Sequence, residues 1–105
     1  MEYIAAHLTG DFILQNDWMA KNKNGNTIIC LIHILVYLMP WVFTGVSLSA
    51  VILIGLQHFL QDRFGLNKKW SKVYKQTDTK EYPELAMWVD QSLHIAFIWL
   101  ITSLI

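Results

Sequence analysis

Three short stretches of this chain place a histidine and an aspartate four residues apart. They are His7 and Asp11 in HLTGD, His58 and Asp62 in HFLQD, and Asp90 and His94 in DQSLH. A step of four puts both side chains on one stripe of a helix. With 4 His and 8 acidic residues in 105, chance would give roughly 0.6 such pairs. The three pairs use three of the four His, and the fourth, His33, stands inside an apolar run. Imidazole and carboxylate are the ligands that Zn²⁺, Mn²⁺ or Fe²⁺ accept. His7, Asp11, His33, His58, Asp62, Asp90 and His94 are therefore the expected ligands of a divalent metal ion. Seven donors suffice for one ion with outer partners, or for two ions. Gln15 extends the stripe of His7 and Asp11 by one more step of four. Asp11, Asp90 and Gln15 are the catalytic candidates, with an uncoordinated Asp as general base. The plainer reading of one such pair is a helical ion pair, or polar glue between membrane helices. Three pairs together with His33 favour a shared site.

Lipid-like segments must carry these residues. Hydrophobic residues make up 54% of the chain and charged ones 15%, against about 25% charged in an ordinary soluble domain. The pattern predicts an all-α, integral membrane bundle of about four helices in one domain, residues 1–105. The helices are expected at about 3–20, 27–44, 46–64 and 83–105, with a loop at 65–82. Residues 27–44, 46–61 and 83–105 read as spans near the roughly 17–25 residues that crossing requires. Pro83 suits a first helical turn. The segment 3–20 is read as a span packed on the others, with a re-entrant or interfacial course as the competitor. Glu2, and the lack of Lys or Arg before the first apolar stretch, do not suggest a cleaved signal peptide. Cys30, the one cysteine, reads as a small buried hydrophobe.

All eight Lys and Arg fall in two places, Lys21 with Lys23, and Arg63 through Lys80. By the positive-inside rule both basic loops are cytoplasmic and both termini outside. That orientation makes the three pairs point the same way, each Asp nearer the cytoplasm and each His a turn deeper. Trp18, Trp70, Tyr74, Tyr82 and Trp88 would then form an aromatic belt at that boundary. The expected location is the inner (cytoplasmic) membrane, as a multi-pass protein. A net charge of zero gives no electrostatic footprint for nucleic acid, and the bases of NKKWSKVYKQ suit anionic headgroups better. Asp17 and Lys21 read as an ordinary surface salt bridge, and Gln91 as a hydrogen-bonding group for a ligand or a neighbouring helix.

HLTGDFILQNDWMAKNK, a span with a central His, then HFLQD and DQSLH together resemble a bacterial and phage family catalogued as domain of unknown function 3307. The most specific part is the opening H-x-x-G-D-F-x-x-Q, here His7, Gly10, Asp11, Phe12 and Gln15. The resemblance covers nearly the whole chain and implies a small multi-helix membrane protein, without an activity. A looser likeness, by analogy only, is to small membrane proteins described as metal-dependent hydrolases.

The expected function is therefore metal-dependent hydrolysis of a phosphoester, in a nucleotide or a lipid headgroup, at a site open to the cytoplasmic side. The lipid bilayer is one partner, a phosphorylated small molecule or lipid another, and self-association into a homo-oligomer a third. The competing expectations are a b-type haem carrier, a transport or proton-relay element, and a non-enzymatic membrane partner protein. Three carboxylates beside the His speak against haem, which does not need them.

Overall fold

A computed structural model describes residues 2–77 and 80–105, so positions 78 and 79 of the expected 65–82 loop lie outside the described residues. Among the described residues every regular element is helical. Helix α1 (Glu2–Leu8) runs into a π-helical turn at Thr9–Ile13, and α2 (Asp17–Asn22) follows after a break. Helix α3 (Thr27–Leu38) continues as a 3₁₀ turn at Pro40–Thr44. Helix α4 is Leu48–Phe64, α5 is Leu66–Trp70 with a π-helical turn at Ser71–Lys75, and α6 is Pro83–Leu104. The stretch 3–20 is thus not one helix. Its wide turn is closed by the Leu14 N–H donating to the Thr9 carbonyl at 2.9 Å, and Asn16 then starts a new helix by accepting from the Met19 N–H at 2.9 Å. π-helical turns of this kind gather at functional sites.

The other boundaries follow local chemistry. Asn26 caps α3 by accepting from the Ile29 N–H, and Ser47 caps α4 by accepting from the Ala50 N–H. Pro40, which has no N–H, coincides with the change from α3 to the tighter 3₁₀ turn. Gly65, at φ 60°, ends α4 in the left-handed conformation that a side chain would oppose.

Helix α4 lies between α3 and α6, α1 closes the bundle against α6 and the 3₁₀ turn, and the π-helical turn packs on α3. Gly10 makes that closure possible: a Cβ there would stand 2.7 Å from the Tyr37 carbonyl oxygen and 2.7 Å from its ring. A small apolar core of Ala6, Tyr37, Trp41, Ile54 and Ile98 fills one end of the bundle. Among the described residues two segments, Thr27–Thr44 and Pro83–Leu104, are long and apolar enough to cross a membrane. Helix α4 has 17 residues, at the short limit for a span.

Candidate metal centre

The His and Asp side chains converge at the end of the bundle where the basic loops lie. Asp11 comes from the π-helical turn, His33 from α3, and His58 with Asp62 from successive turns of α4. All four are buried. Their donor atoms enclose a small space. His33 Nε2 is 3.0 Å from His58 Nε2. Asp62 Oδ2 lies 3.1 Å from His33 Nε2 and 3.0 Å from His58 Nε2. Asp11 Oδ1 lies 3.4 Å from His33 Nε2 and 3.5 Å from His58 Nε2. A tetrahedral ion with bonds of about 2.0–2.1 Å needs donors about 3.3 Å apart, and these five separations lie close to that spacing.

The electrostatics also fit a cation. Asp11 Oδ1 and Asp62 Oδ2 are buried and accept no well-aligned hydrogen bond, an arrangement that is costly unless positive charge compensates it. Lys23 supplies part of that charge, its Nζ standing 2.9 Å from Asp62 Oδ2 and 3.8 Å from Asp11 Oδ1. Burial alone would lower the pKa of Lys23, but the Asp62 and Asp11 carboxylates outweigh it and hold the ammonium above the ordinary lysine value. A clasp brings the lysine there. Asn24 Nδ2 donates to the Asp62 carbonyl at 3.0 Å, while Arg63 donates to the Asn24 carbonyl and to Thr27 Oγ1, each at 2.9 Å. The His58 ring is packed between Tyr37 and His94, with centroids 3.8 and 4.0 Å away.

The family model described as Protein of unknown function (DUF3307) matches residues 1–105, the whole chain. The chain belongs to that family. Neither a curated protein nor a solved structure matches it significantly. Membership in DUF3307 carries no activity, so the chemistry of this family member rests on its side chains.

A second group adjoins the first. Asp11, Asp90 and His94 also bring donor atoms within ion-binding reach of one another. Asp90 and His94, four apart on α6, meet mainly through the Asp90 carbonyl, 2.9 Å from His94 Nδ1, and only at 3.7 Å through the carboxylate. His7 belongs to neither group. Its Nδ1 is 2.8 Å from the Tyr37 hydroxyl and its Nε2 2.7 Å from Gln91 Oε1, so both ring nitrogens are engaged by neighbours. Gln15 falls in the break after the π-helical turn, half-buried, its Oε1 without a hydrogen-bond partner. Of the seven expected ligands, six thus meet around Asp11, and His7 stands behind them.

Four residues of the centre lay outside the set that spacing alone selects. Lys23 reads in sequence as a topology marker, Gln91 as a hydrogen-bonding group for a ligand or a neighbouring helix, and Gln61 and Tyr37 carry no assigned role. Gln61 and Tyr37 do carry a signal, because they stand three and four residues after His58 and His33 on the same helical stripes.

Proposed function

We propose that this protein is a membrane-embedded, metal-dependent hydrolase of phosphoesters. The observation that carries the reading is the quartet of buried donor atoms from Asp11, His33, His58 and Asp62, spaced 3.0–3.5 Å apart along the measured edges. Two imidazoles and two carboxylates suit Zn²⁺, Mn²⁺ or Fe²⁺. When bound, such an ion polarises a phosphoryl oxygen and lowers the pKa of a water towards neutrality. The chain's own part is to exclude bulk water around four buried ligands and to hold a carboxylate for proton transfer. Lys23, at the edge of the centre, places a fixed ammonium where phosphoryl charge would develop. A bis-histidine haem is a poorer fit, because His33 and His58 present their Nε2 atoms side by side at 3.0 Å and leave no room for a porphyrin between them.

The membrane reading rests on the outer surface. Only 11% of the most apolar window of Pro83–Leu104 is buried within the protein, and 28% of that in Thr27–Thr44. Such faces call for lipid as solvent. Lys21, Lys23 and Arg63 lie at the same end as the centre, so the positive-inside rule turns the site and both basic loops to the cytoplasm and both termini outward. The location is then the inner membrane, and the substrate either a lipid headgroup or a soluble nucleotide.

The test is metal content and turnover on protein purified in mild detergent. His58→Ala should lose both bound metal and hydrolysis of a chromogenic phosphomonoester. Asp11→Asn keeps size and hydrogen bonding but removes charge. A ligand role predicts loss of metal, and a base role predicts retained metal with slower turnover. Both variants folding and keeping full hydrolysis would overturn the hydrolase reading.

A further inference from the structure

His94 has no place in the quartet, yet it is fully buried and its Nε2 finds no hydrogen-bond partner. Its other ring nitrogen is crowded. Gln61 Nε2 lies 2.9 Å from the Asp90 carbonyl, 3.0 Å from Asp90 Oδ1 and 3.0 Å from His94 Nδ1, and His94 Nδ1 stands 2.9 Å from the same carbonyl. A proton on Nδ1 satisfies that carbonyl, whereas one on Nε2 leaves Nδ1 to accept from Gln61. Nε2 faces Asp62 Oδ1 at 3.5 Å without a hydrogen bond. In the Nδ1–H form its lone pair is directed at a carboxylate in a dry interior, which is unfavourable unless a cation lies between them.

The other members of this second group are held in the same manner. Gln91 Nε2 donates to Asp11 Oδ2 at 3.1 Å and to Asp90 Oδ2 at 3.3 Å, so a single amide orients both carboxylates. Its Oε1 must therefore accept from His7 Nε2–H, leaving His7 Nδ1 to accept from the Tyr37 hydroxyl. Tyr37, His7 and Gln91 form a one-directional chain that ends on the two carboxylates. Outer partners of this sort orient metal ligands. His33 and His58, whose Nδ1 atoms are unpartnered, have no such support.

We propose that the centre takes two divalent ions, the second held by Asp11, Asp90 and His94 beside Asp62, with Asp11 shared between the two positions. The inference rests on the metal reading above and adds the number of ions and the charge of the substrate. With neutral imidazoles, Asp11, Asp62 and Asp90 against Lys23 leave two buried negative charges. One divalent ion cancels them and gives an anion no net attraction. Two divalent ions leave two positive charges, the complement of a phosphate monoester dianion. Paired ions clamp the attacking and leaving oxygens of phosphoryl transfer.

The experiment is a Mn²⁺ titration of the chelator-treated full chain in detergent, read by metal content and low-temperature electron paramagnetic resonance. The expected result is two Mn²⁺ per chain, spin-coupled, falling to one uncoupled Mn²⁺ in His94→Ala. Asp90→Asn, which preserves volume and hydrogen bonding, should do the same if the alanine variant loses its circular-dichroism melt. One Mn²⁺ in the wild type overturns the second position and leaves the quartet reading intact. No bound Mn²⁺ overturns both. Two Mn²⁺ retained in a folded Asp90→Asn or His94→Ala chain overturns the ligand assignment.

Discussion

The interior and the exterior of this bundle exchange the roles they have in a water-soluble protein. Inside, among the described residues, buried polar side chains are as numerous as buried apolar ones, and four imidazoles stand at or near zero exposure. Outside, Phe43 is 90% and Leu104 83% exposed, side chains that water would drive inward. Hydrophobic burial can therefore account for the small core around Tyr37 and Trp41, but not for the His and Asp end. That end is held by charge, by hydrogen bonds and by close backbone approach. A fold that draws ionisable groups into its centre commits those groups to pairing, and unpaired they are a cost.

The largest way to disturb that contrast is to remove the internal counter-charge. Lys23→Gln leaves Asp62 and Asp11 without the ammonium now 2.9 and 3.8 Å away. Breaking a buried pair on one side costs about 3 kcal/mol or more. We expect the metal-free variant to melt markedly lower, and divalent metal to restore most of the loss, because the ion supplies the missing charge. The readout is the metal-induced shift in melting temperature, larger in Lys23→Gln than in the wild type. An equal shift in both would show that Lys23 does not compensate the centre.

A smaller effect comes from backbone approach alone. Gly10→Ala introduces a Cβ at 2.7 Å from the Tyr37 carbonyl, against backbone that cannot rotate aside. Overpacking of this kind costs about 1–3 kcal/mol. The π-helical turn must move off α3, which carries Asp11 away from His33 and parts His7 from Tyr37. Thermal stability and metal affinity should fall together. Lower stability with unchanged affinity would mean that the turn does not set the position of Asp11.

Much of this was readable before the fold was known, and the reason is physical. A polar residue in an apolar run has few places to go, so the three pairs and His33 pointed inward on periodicity alone. The helix count was less legible. Nothing in YIAAHLTGDFILQNDWMA marks the π-helical turn, which lies where Gly10 seats against Tyr37 of another helix. The break after that turn takes Gln15 off the stripe that a continuous helix would have given it. The surroundings of His7 were illegible for a related reason. Spacing reports which face a side chain occupies, whereas its neighbours decide whether a ring nitrogen is free, and Tyr37 and Gln91 take both. Lys23 was hidden because loop residues carry no periodicity, and only the clasp of Asn24 and Arg63 on the end of α4 turns it inward.

The smallest prediction sets two pairs of identical spacing against each other. Asp17 and Lys21 are four apart on α2 and meet at 2.9 Å. His58 and Asp62 are four apart on α4 and meet at 3.0 Å. Sequence distance and contact distance are thus the same, and only the surroundings differ. The α2 pair is 80% and 71% exposed at its side chains, where solvent screens the attraction and the side chains lose entropy in forming it. Such pairs contribute about 0.3–0.5 kcal/mol. The α4 pair is buried and shares its carboxylate with Lys23 and His33. Asp17→Ala should therefore leave the melting temperature within about 1–3 °C of the wild type and the metal content unchanged, while Asp62→Ala in the same background should abolish metal binding. If Asp17→Ala reduced metal content as Asp62→Ala does, helical pairing rather than the buried constellation would be the common cause, and the centre would lose its claim to be a site.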